Sequence, residues 1–236
     1  MAISGVVKVA SDATSSSQRE TVRPVVCLPT RNEEPSVARM VHAIRALGYD
    51  VFICDERSTD ETCAIAASLG VSVHQRAGSG KGWGVRKALE IAVREGYDVL
   101  VLIDCDCSYS PEEIPRLLSA MNRHGCVIGS RPMHMIPWPN RFVNYLHTGA
   151  VNLLFGVKLH DINSGLRVLR VKSYVDVLTA TGFDIEAQMT IVALTRRLGI
   201  TEVPIGYHKR VGHSKVRVWD VARILWRIIR ERFHPR

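Results

Sequence analysis

Short apolar runs alternate with stretches of helical period along the first half of the chain. Pro24–Pro29 reads as a buried strand. Val37, Met40, Val41, Ile44 and Leu47 then recur at helical spacing up to Gly48, with Pro35 in the first turn. Asp50–Cys54 forms a second strand that ends at Asp55. Ser58 or Asp60 caps the next helix, which Ala64–Leu69 carries and Gly70 stops. Val71–His74 is a third strand, Gly78–Gly82 a flexible loop, and Gly84–Arg94 a helix. Val99–Ile103 is wholly apolar and mostly β-branched, the mark of a strand buried on both faces. Ser110-Pro111-Glu112-Glu113 opens another helix and Cys126–Gly129 is a fifth strand. Alternation from Pro24 to about Ser130 predicts an α/β, Rossmann-like fold. Its sheet is mostly parallel and flanked by helices through right-handed crossovers.

The second half is less regular. Arg131–Asn140 reads as a loop, Phe142–Phe155 as a helix, Leu166–Leu169 as a strand, Phe183–Leu198 as a helix ended by Gly199, and Ile200–Ile205 as a strand. Tyr207–Lys215 is basic and flexible. The tail is a helix with Val218, Val221, Ala222, Leu225, Ile228 and Ile229 on one side, Arg223, Arg227 and Arg230 opposite, and Trp219 and Trp226 at the flanks. That period suits equally a helix lying in a membrane interface and one packed on the domain. The expected division is a flexible leader over 1–21, a single domain over 22–217, and a basic amphipathic C-terminal helix over 218–236.

Composition narrows the class. The 236 residues are 46% hydrophobic and 23% charged, as in ordinary globular proteins, and suffice for one large domain. A net charge of +8 calls for an anionic partner: nucleic acid, a phosphorylated ligand or an acidic lipid surface. Aromatics are only 6% and no basic stripe is interleaved with stacking residues, which argues against nucleic acid. No apolar run approaches the ~20 residues that span a bilayer, and no secretory signal pattern opens the chain. Cys27, Cys54 and Cys126 fall in strand-like runs, and none of the six cysteines has zinc spacing, so the thiols are expected to be reduced in a cytosolic setting.

The candidate chemistry centres on Asp104-Cys105-Asp106 at the end of the fourth strand. Open α/β sheets place ligands at the carboxyl ends of their strands. Two adjacent carboxylates repel unless a cation lies between them, and Mg²⁺ or Mn²⁺ suits such a pair shared with phosphates. Taken alone, the motif fits a solvated acidic turn as well. Asn32, Glu33, Asp55, Lys81, Asp104, Asp106 and Arg131 all belong to loops at this edge. Gly80-Lys81-Gly82 is not a Walker loop, because no Ser or Thr follows the lysine. Lys81 can meet a phosphate or stay in solvent. The histidines show no metal spacing, and no Ser–His–Asp pattern stands out.

Jointly the motifs are more specific. Pro29-x-x-Asn32-Glu33, Asp55-x-x-Ser58-x-Asp60-x-Thr62, Gly80-Lys81-Gly82, Asp104-x-Asp106, Gly129-Ser130-Arg131, Asp161-x-x-Ser164-Gly165-Leu166-Arg167 and Arg210-x-Gly212-x-Ser214-Lys215 follow in order. In this order the chain resembles the inverting family-two glycosyltransferases of GT-A fold. Within them it is most similar to the dolichyl-phosphate mannose synthases and polyprenyl-phosphate glucosyltransferases, from Pro24 to Lys215.

The resemblance implies that Pro29, Arg31, Glu33, Asp55 and Lys81 bind the donor, and that Asp104 and Asp106 hold a Mg²⁺ or Mn²⁺ ion on its diphosphate. Arg131, Arg141, Arg210 and Lys215 would face phosphates. Asp106, Asp161 and Arg210 would be the catalytic groups. Gln188 stands where many relatives have a second acid after Glu186, and Tyr145 where some have a small hydroxyl residue. Transmembrane helices that some relatives append are missing from this sequence. The expected activity is transfer of mannose or glucose from GDP-mannose or UDP-glucose to a polyprenyl (dolichyl) phosphate, with inversion, at the cytoplasmic face of a membrane that the protein touches peripherally. A phosphate acceptor is largely ionised near neutral pH and needs little help from a base. A sugar hydroxyl would need a carboxylate, Asp161 or Glu186. A soluble or saccharide acceptor, and a non-catalytic nucleotide-sugar-binding module, are the rival readings.

Overall fold

Apolar, largely β-branched runs build the centre of the molecule. The computed structural model describes residues 22–122, 124–212 and 217–234; the leader expected over 1–21 and the expected phosphate ligand Lys215 lie outside them. Seven strands form one sheet: β1 (Pro24–Thr30), β2 (Asp50–Asp55), β3 (Ser72–Gln75), β4 (Val99–Leu102), β5 (Cys126–Ser130), β6 (Arg167–Arg170) and β7 (Ile200–Pro204). Their spatial order is β3-β2-β1-β4-β6-β5-β7. All pairings are parallel except those of β6, which runs antiparallel to both β4 and β5. This is the mostly parallel, helix-flanked GT-A architecture in a single domain.

Side-chain alternation along the strands divides the core. Val25, Cys27, Leu100, Leu102 and Ile128 face one layer, which holds α3 (Lys81–Arg94), the short α6 (Val171–Tyr174) and α7 (Ile185–Thr195). Val26, Leu28, Val99, Val101 and Val127 face the other, which holds α1 (Glu34–Ala46), α2 (Thr62–Ser68) and α4 (Ile114–Ala120). A smaller cluster, Val151, Ile162, Ala187, Ile191, Ile224 and Ile228, joins α7 to α5 (Trp138–Phe155) and α8 (Val218–Phe233).

The reversal of β6 matters for the site. Its register pairs Leu102 with Arg167, so its first residue lies at the carboxyl end of β4. The loop entering β6, residues 161–166, therefore reaches the same edge as the loops leaving β1, β2 and β4.

Several boundaries differ from the sequence expectation, each for a local reason. Helix α5 starts at Trp138 rather than Phe142, because Pro139 sits in its first turn, where a missing N–H costs nothing. Helix α3 starts at Lys81, with Gly80 at φ +110 immediately before it. Ser58 does not cap α2; its hydroxyl and amide turn back to Asp55, while Asp60 accepts from the Thr62 amide and hydroxyl. The tail helix buries Ile224, Arg227, Ile228 and Glu231, so Arg227 points inward and not to the solvent face expected for it. Its guanidinium meets Asp184 and Glu231, and buried acids, not apolar spacing, set the rotation of the helix. Trp219, Trp226, Ile229 and Phe233 stay exposed.

Arg167 is fully buried at the start of β6. It donates to the Ser164 carbonyl at 3.0 Å, to Thr190 Oγ1 at 2.9 Å and to the Ile162 carbonyl. These bonds tie the loop before β6 to α7. Arg167→Met leaves these acceptors unpaired, and a loss of about 3 kcal/mol is expected. Urea unfolding checks it: the midpoint should fall with the slope unchanged.

Candidate active site

The loops at the carboxyl edge of the sheet order one another through buried side chains. Asp55 ends β2 and is fully buried. It accepts from Thr30 Oγ1 at 2.9 Å, the Ser58 amide at 2.8 Å, Ser58 Oγ at 2.5 Å and Gln75 Nε2 at 3.2 Å. Burial alone would raise this carboxyl, but the Ser58, Thr30 and Gln75 hydrogen bonds outweigh it and hold the group below its ordinary range. Asp55 thus shapes the loop after β2 more than it offers itself to solvent. Asn32, at φ +51, joins the loops after β1 and β2, since its amide donates to Ser58 Oγ and its Oδ1 accepts from the Thr59 amide. Arg31 pairs with Glu56 at 3.1 Å, and Glu33 is buried beneath the first turn of α1 with its amide on Thr62 Oγ1. Pro29 is half-buried near the end of β1.

The paired acids after β4 are each met by a cation. Lys81 Nζ lies 2.6 Å from Asp104 Oδ1 and 2.7 Å from Glu186 Oε1. Arg210 Nη2 lies 2.7 Å from Asp106 Oδ2, whose other oxygen accepts from the Ser108 amide and hydroxyl. Burial would lower the Lys81 ammonium, but Asp104 and Glu186 raise it well above the ordinary lysine range. Burial would likewise raise Asp104, and Lys81, Arg210 and Arg131 hold it below. The segment bearing Arg210 is laid along the acidic loop by two backbone bonds, His208 N to Ser108 O and Val211 N to Asp106 O, both 2.9 Å.

A third pair stands beside them. Arg131 grips the buried Asp161 through Nε at 2.7 Å and Nη2 at 2.8 Å, with its own amide at 3.1 Å. Glu202 accepts the amides of His160 and Asp161 and so fixes the loop that carries the acid. Tyr109, whose phenol burial pushes up, accepts the Gly165 amide at 2.8 Å. Gly165 is required here because a Cβ would strike the Asp104 carboxylate.

The structure therefore gathers Lys81, Asp104, Asp106, Arg131, Asp161 and Arg210 at one edge. Arg141 stands apart on the second turn of α5, half-exposed. Tyr145 is exposed on the same helix. Glu186, Tyr109, Gly165 and Glu202 complete the cluster; of these, sequence reasoning weighed Glu186 only as a base and quoted Gly165 only within its motif. Gln188 is buried and turned away from Glu186, with its amide bonded to Thr179, Ala180 and Glu231.

Comparison with known proteins bears on this arrangement. The model of glycosyl transferase family 2 matches residues 25–178. A low-salt glycan biosynthesis hexosyltransferase, Agl6, from Haloferax volcanii is 32% identical over 87% of the chain, which spans 52% of that relative's length. An undecaprenyl-phosphate mannosyltransferase from Micrococcus luteus is 30% identical over 83% of the chain and 88% of its own. Among solved structures, glucosyl-3-phosphoglycerate synthase from Mycobacterium tuberculosis, in complex with Mn²⁺, UDP-glucose and phosphoglyceric acid, superposes with a TM-score of 0.76 at 20% identity, over 92% of this chain and 81% of that one. At that identity the likeness is one of fold.

The Asp55 geometry yields a test with a defined sign. A carboxyl held below its ordinary value stabilises the fold above the unfolded-state value, and that contribution is lost as pH falls through the folded one. Ser58→Ala should raise the Asp55 titration, read by carboxyl ¹³C shifts. It should cost about 1 kcal/mol at neutral pH, a deficit that fades in acid.

Proposed function

The chain belongs to glycosyl transferase family 2, and from that premise we propose that it moves mannose or glucose from a nucleoside diphosphate to a polyprenyl phosphate, with inversion at the anomeric carbon. The observation that carries the reading is the set of ion pairs at the edge of the sheet. Asp161 and Glu186, the carboxylates a hydroxyl acceptor would need as base, are held by Arg131 and Lys81. A carboxylate locked on a cation is a poor base, whereas a phosphate acceptor arrives ionised. The Micrococcus relative, an undecaprenyl-phosphate mannosyltransferase, supports the same acceptor class.

Each residue then has a task. Pro29, Arg31 and Glu33 hold the nucleotide, Asp55 orders the loop beside it through Thr30, Ser58 and Gln75, and Lys81 holds the diphosphate. Arg131 and Arg210 receive phosphate charge, Lys215 is assigned the same task, and Asp161 keeps Arg131 aimed at it. The acceptor oxygen bonds to the anomeric carbon as the bond to the diphosphate breaks with its electron pair. This is chiefly a matter of alignment and charge. Asp104 and Asp106 would hold a Mg²⁺ or Mn²⁺ ion, whose chemistry is to neutralise the departing diphosphate. The donor set fits such an ion. Each acid offers hard carboxylate oxygens and Gly165 keeps the side of Asp104 Oδ2 clear of a Cβ; among the described residues no group of three or more His, Cys or acids gathers, so diphosphate oxygens would complete the ligand set. The cations paired with them, Lys81 and Arg210, end in groups that serve phosphates equally well.

The same reading places the protein at the cytoplasmic face of a membrane. Among the described residues no helix is long and apolar enough to cross one. Yet α5 and α8, packed together through His147 Nε2 on the Val221 carbonyl and Arg232 on the Leu154 carbonyl, keep large apolar groups in solvent. Trp138 is 70%, Leu153 84% and Trp219 80% exposed, with Phe142, Trp226 and Phe233 also outside. Aromatic side chains beside Arg223, Arg230 and Arg232 suit an anionic lipid surface. All six cysteines are free, in keeping with a reducing compartment.

Asp106→Ala should abolish transfer with Mg²⁺ or Mn²⁺ while the far-ultraviolet circular dichroism is unchanged; near-normal turnover would overturn the assignment of the acidic pair. Radiolabelled GDP-mannose and UDP-glucose, offered with polyprenyl phosphate and with soluble acceptors, should put label into the lipid phase. Label confined to water-soluble product favours the rival acceptor. The triple variant Trp219→Ser/Trp226→Ser/Phe233→Ser should sediment less with anionic liposomes and keep its thermal stability.

A further inference from the structure

A strap of chain, residues 179–184, lies between the start of α3 and the C-terminal helix. Its inner side meets α3 at close range. A Cβ at Gly80 would strike the Thr181 carbonyl oxygen, and one at Gly82 the Ala180 carbonyl oxygen. The Gly82 amide donates to the Gly182 carbonyl at 3.1 Å. Glycine flanks Lys81 on both sides because the strap leaves no room for a side chain there. Gly80 also takes a φ of +110, which other residues rarely adopt.

The outer side of the strap is held by α7 and α8. Gln188 Oε1 accepts from the Thr179 and Ala180 amides at 2.9 and 2.8 Å, and its Nε2 donates to Thr179 Oγ1 at 3.1 Å and Glu231 Oε1 at 3.0 Å. Arg227 reaches Asp184 Oδ2 through Nε at 2.8 Å and Nη2 at 2.7 Å, and Glu231 Oε1 through Nη1 at 3.1 Å. Arg223 adds Asp184 Oδ1 at 3.1 Å and Thr181 Oγ1 at 2.7 Å. Asp184 also accepts the Gly182 amide at 3.2 Å. Asp184, Gln188, Arg227 and Glu231 are all buried. Apolar residues would fill this seam without desolvating two acids and a guanidinium; directional bonds fix one register instead. Asp184 immediately precedes α7, and Glu186, the second partner of Lys81, lies in its first turn. A single turn of chain thus joins the anchor on α8 to the acid on Lys81.

We infer that Asp184, Gln188 and Arg227 are positioning residues. Through the strap, α8 sets the place of the Lys81 ammonium, and with it the affinity for the donor diphosphate. The inference rests on the reading of Lys81 as a donor-phosphate ligand. The C-terminal helix is on this account a working part of the donor site as well as a surface element.

The test compares Lys81→Ala, Arg227→Met, Arg227→Lys and the double variant Arg227→Met/Asp184→Asn, which neutralises one of the two buried acids that Arg227 pairs and leaves Glu231 its bond from Gln188. Binding of GDP and of UDP with Mn²⁺ is titrated by calorimetry, donor and acceptor KM are measured, and thermal melts set a working temperature well below each transition. Arg227→Met and the double variant should weaken nucleotide binding and raise donor KM about tenfold, with acceptor KM unchanged. Arg227→Lys should recover part of the loss. A double variant with wild-type donor affinity, beside a weakened Lys81→Ala, would overturn the inference and leave the reading of Lys81 standing. Undiminished nucleotide affinity in Lys81→Ala would overturn that reading, and the inference with it.

Discussion

Two carboxylates at the end of an apolar strand cannot stand side by side without cations, and much of the architecture answers that constraint. Lys81 comes from the start of α3, Arg210 from the segment after β7, and Arg131 from the loop after β5. Lys81 also holds Glu186, Arg131 grips Asp161 beside the pair, and the Arg210 segment bonds to the backbone of the acidic loop. Four acids, Asp104, Asp106, Asp161 and Glu186, face three cations, with Glu202 behind them on the His160 and Asp161 amides, so acids outnumber cations in the cluster before any ligand enters. A diphosphate with a divalent ion would add charges of opposite sign together, and the balance would hold.

Much of this was legible in the chain. The strand and helix pattern to Ser130 carries the parallel half of the sheet, because alternation there is dictated by burial on both faces. The strand-end acids follow from the same logic. What the pattern could not carry was the sense of β6. Four buried residues read alike in either direction, and only the register of Leu102 with Arg167 fixes it. The rotation of α8 was likewise hidden. An arginine on a helix reads as solvated until its buried acceptors, Asp184 and Glu231, are placed by distant segments. The partner of Lys81 was hidden for a similar reason: Glu186 lies far along the sequence, and α7 is so apolar throughout that no face of it stands out.

Gln188 bonds to the strap and to α8 rather than joining the acids at the site. Two residues after Glu186, it invites comparison with an acid at the site. Its side chain instead faces the opposite side of α7, where both its acceptor and its donor group are used. A carboxylate there would lose the donor that meets Glu231 and place two acids together.

The reversed strand β6 has a consequence for how such a molecule can diversify. Loops after β1, β2 and β4 leave a rigid parallel half, whereas the loop carrying Asp161 and Gly165 enters the sheet from α5. Length changes between residues 156 and 161 would therefore shift the Asp161 side of the edge while the loops after β1, β2 and β4 keep their register. Such a chain can vary in length on one side of the edge and leave the other side untouched.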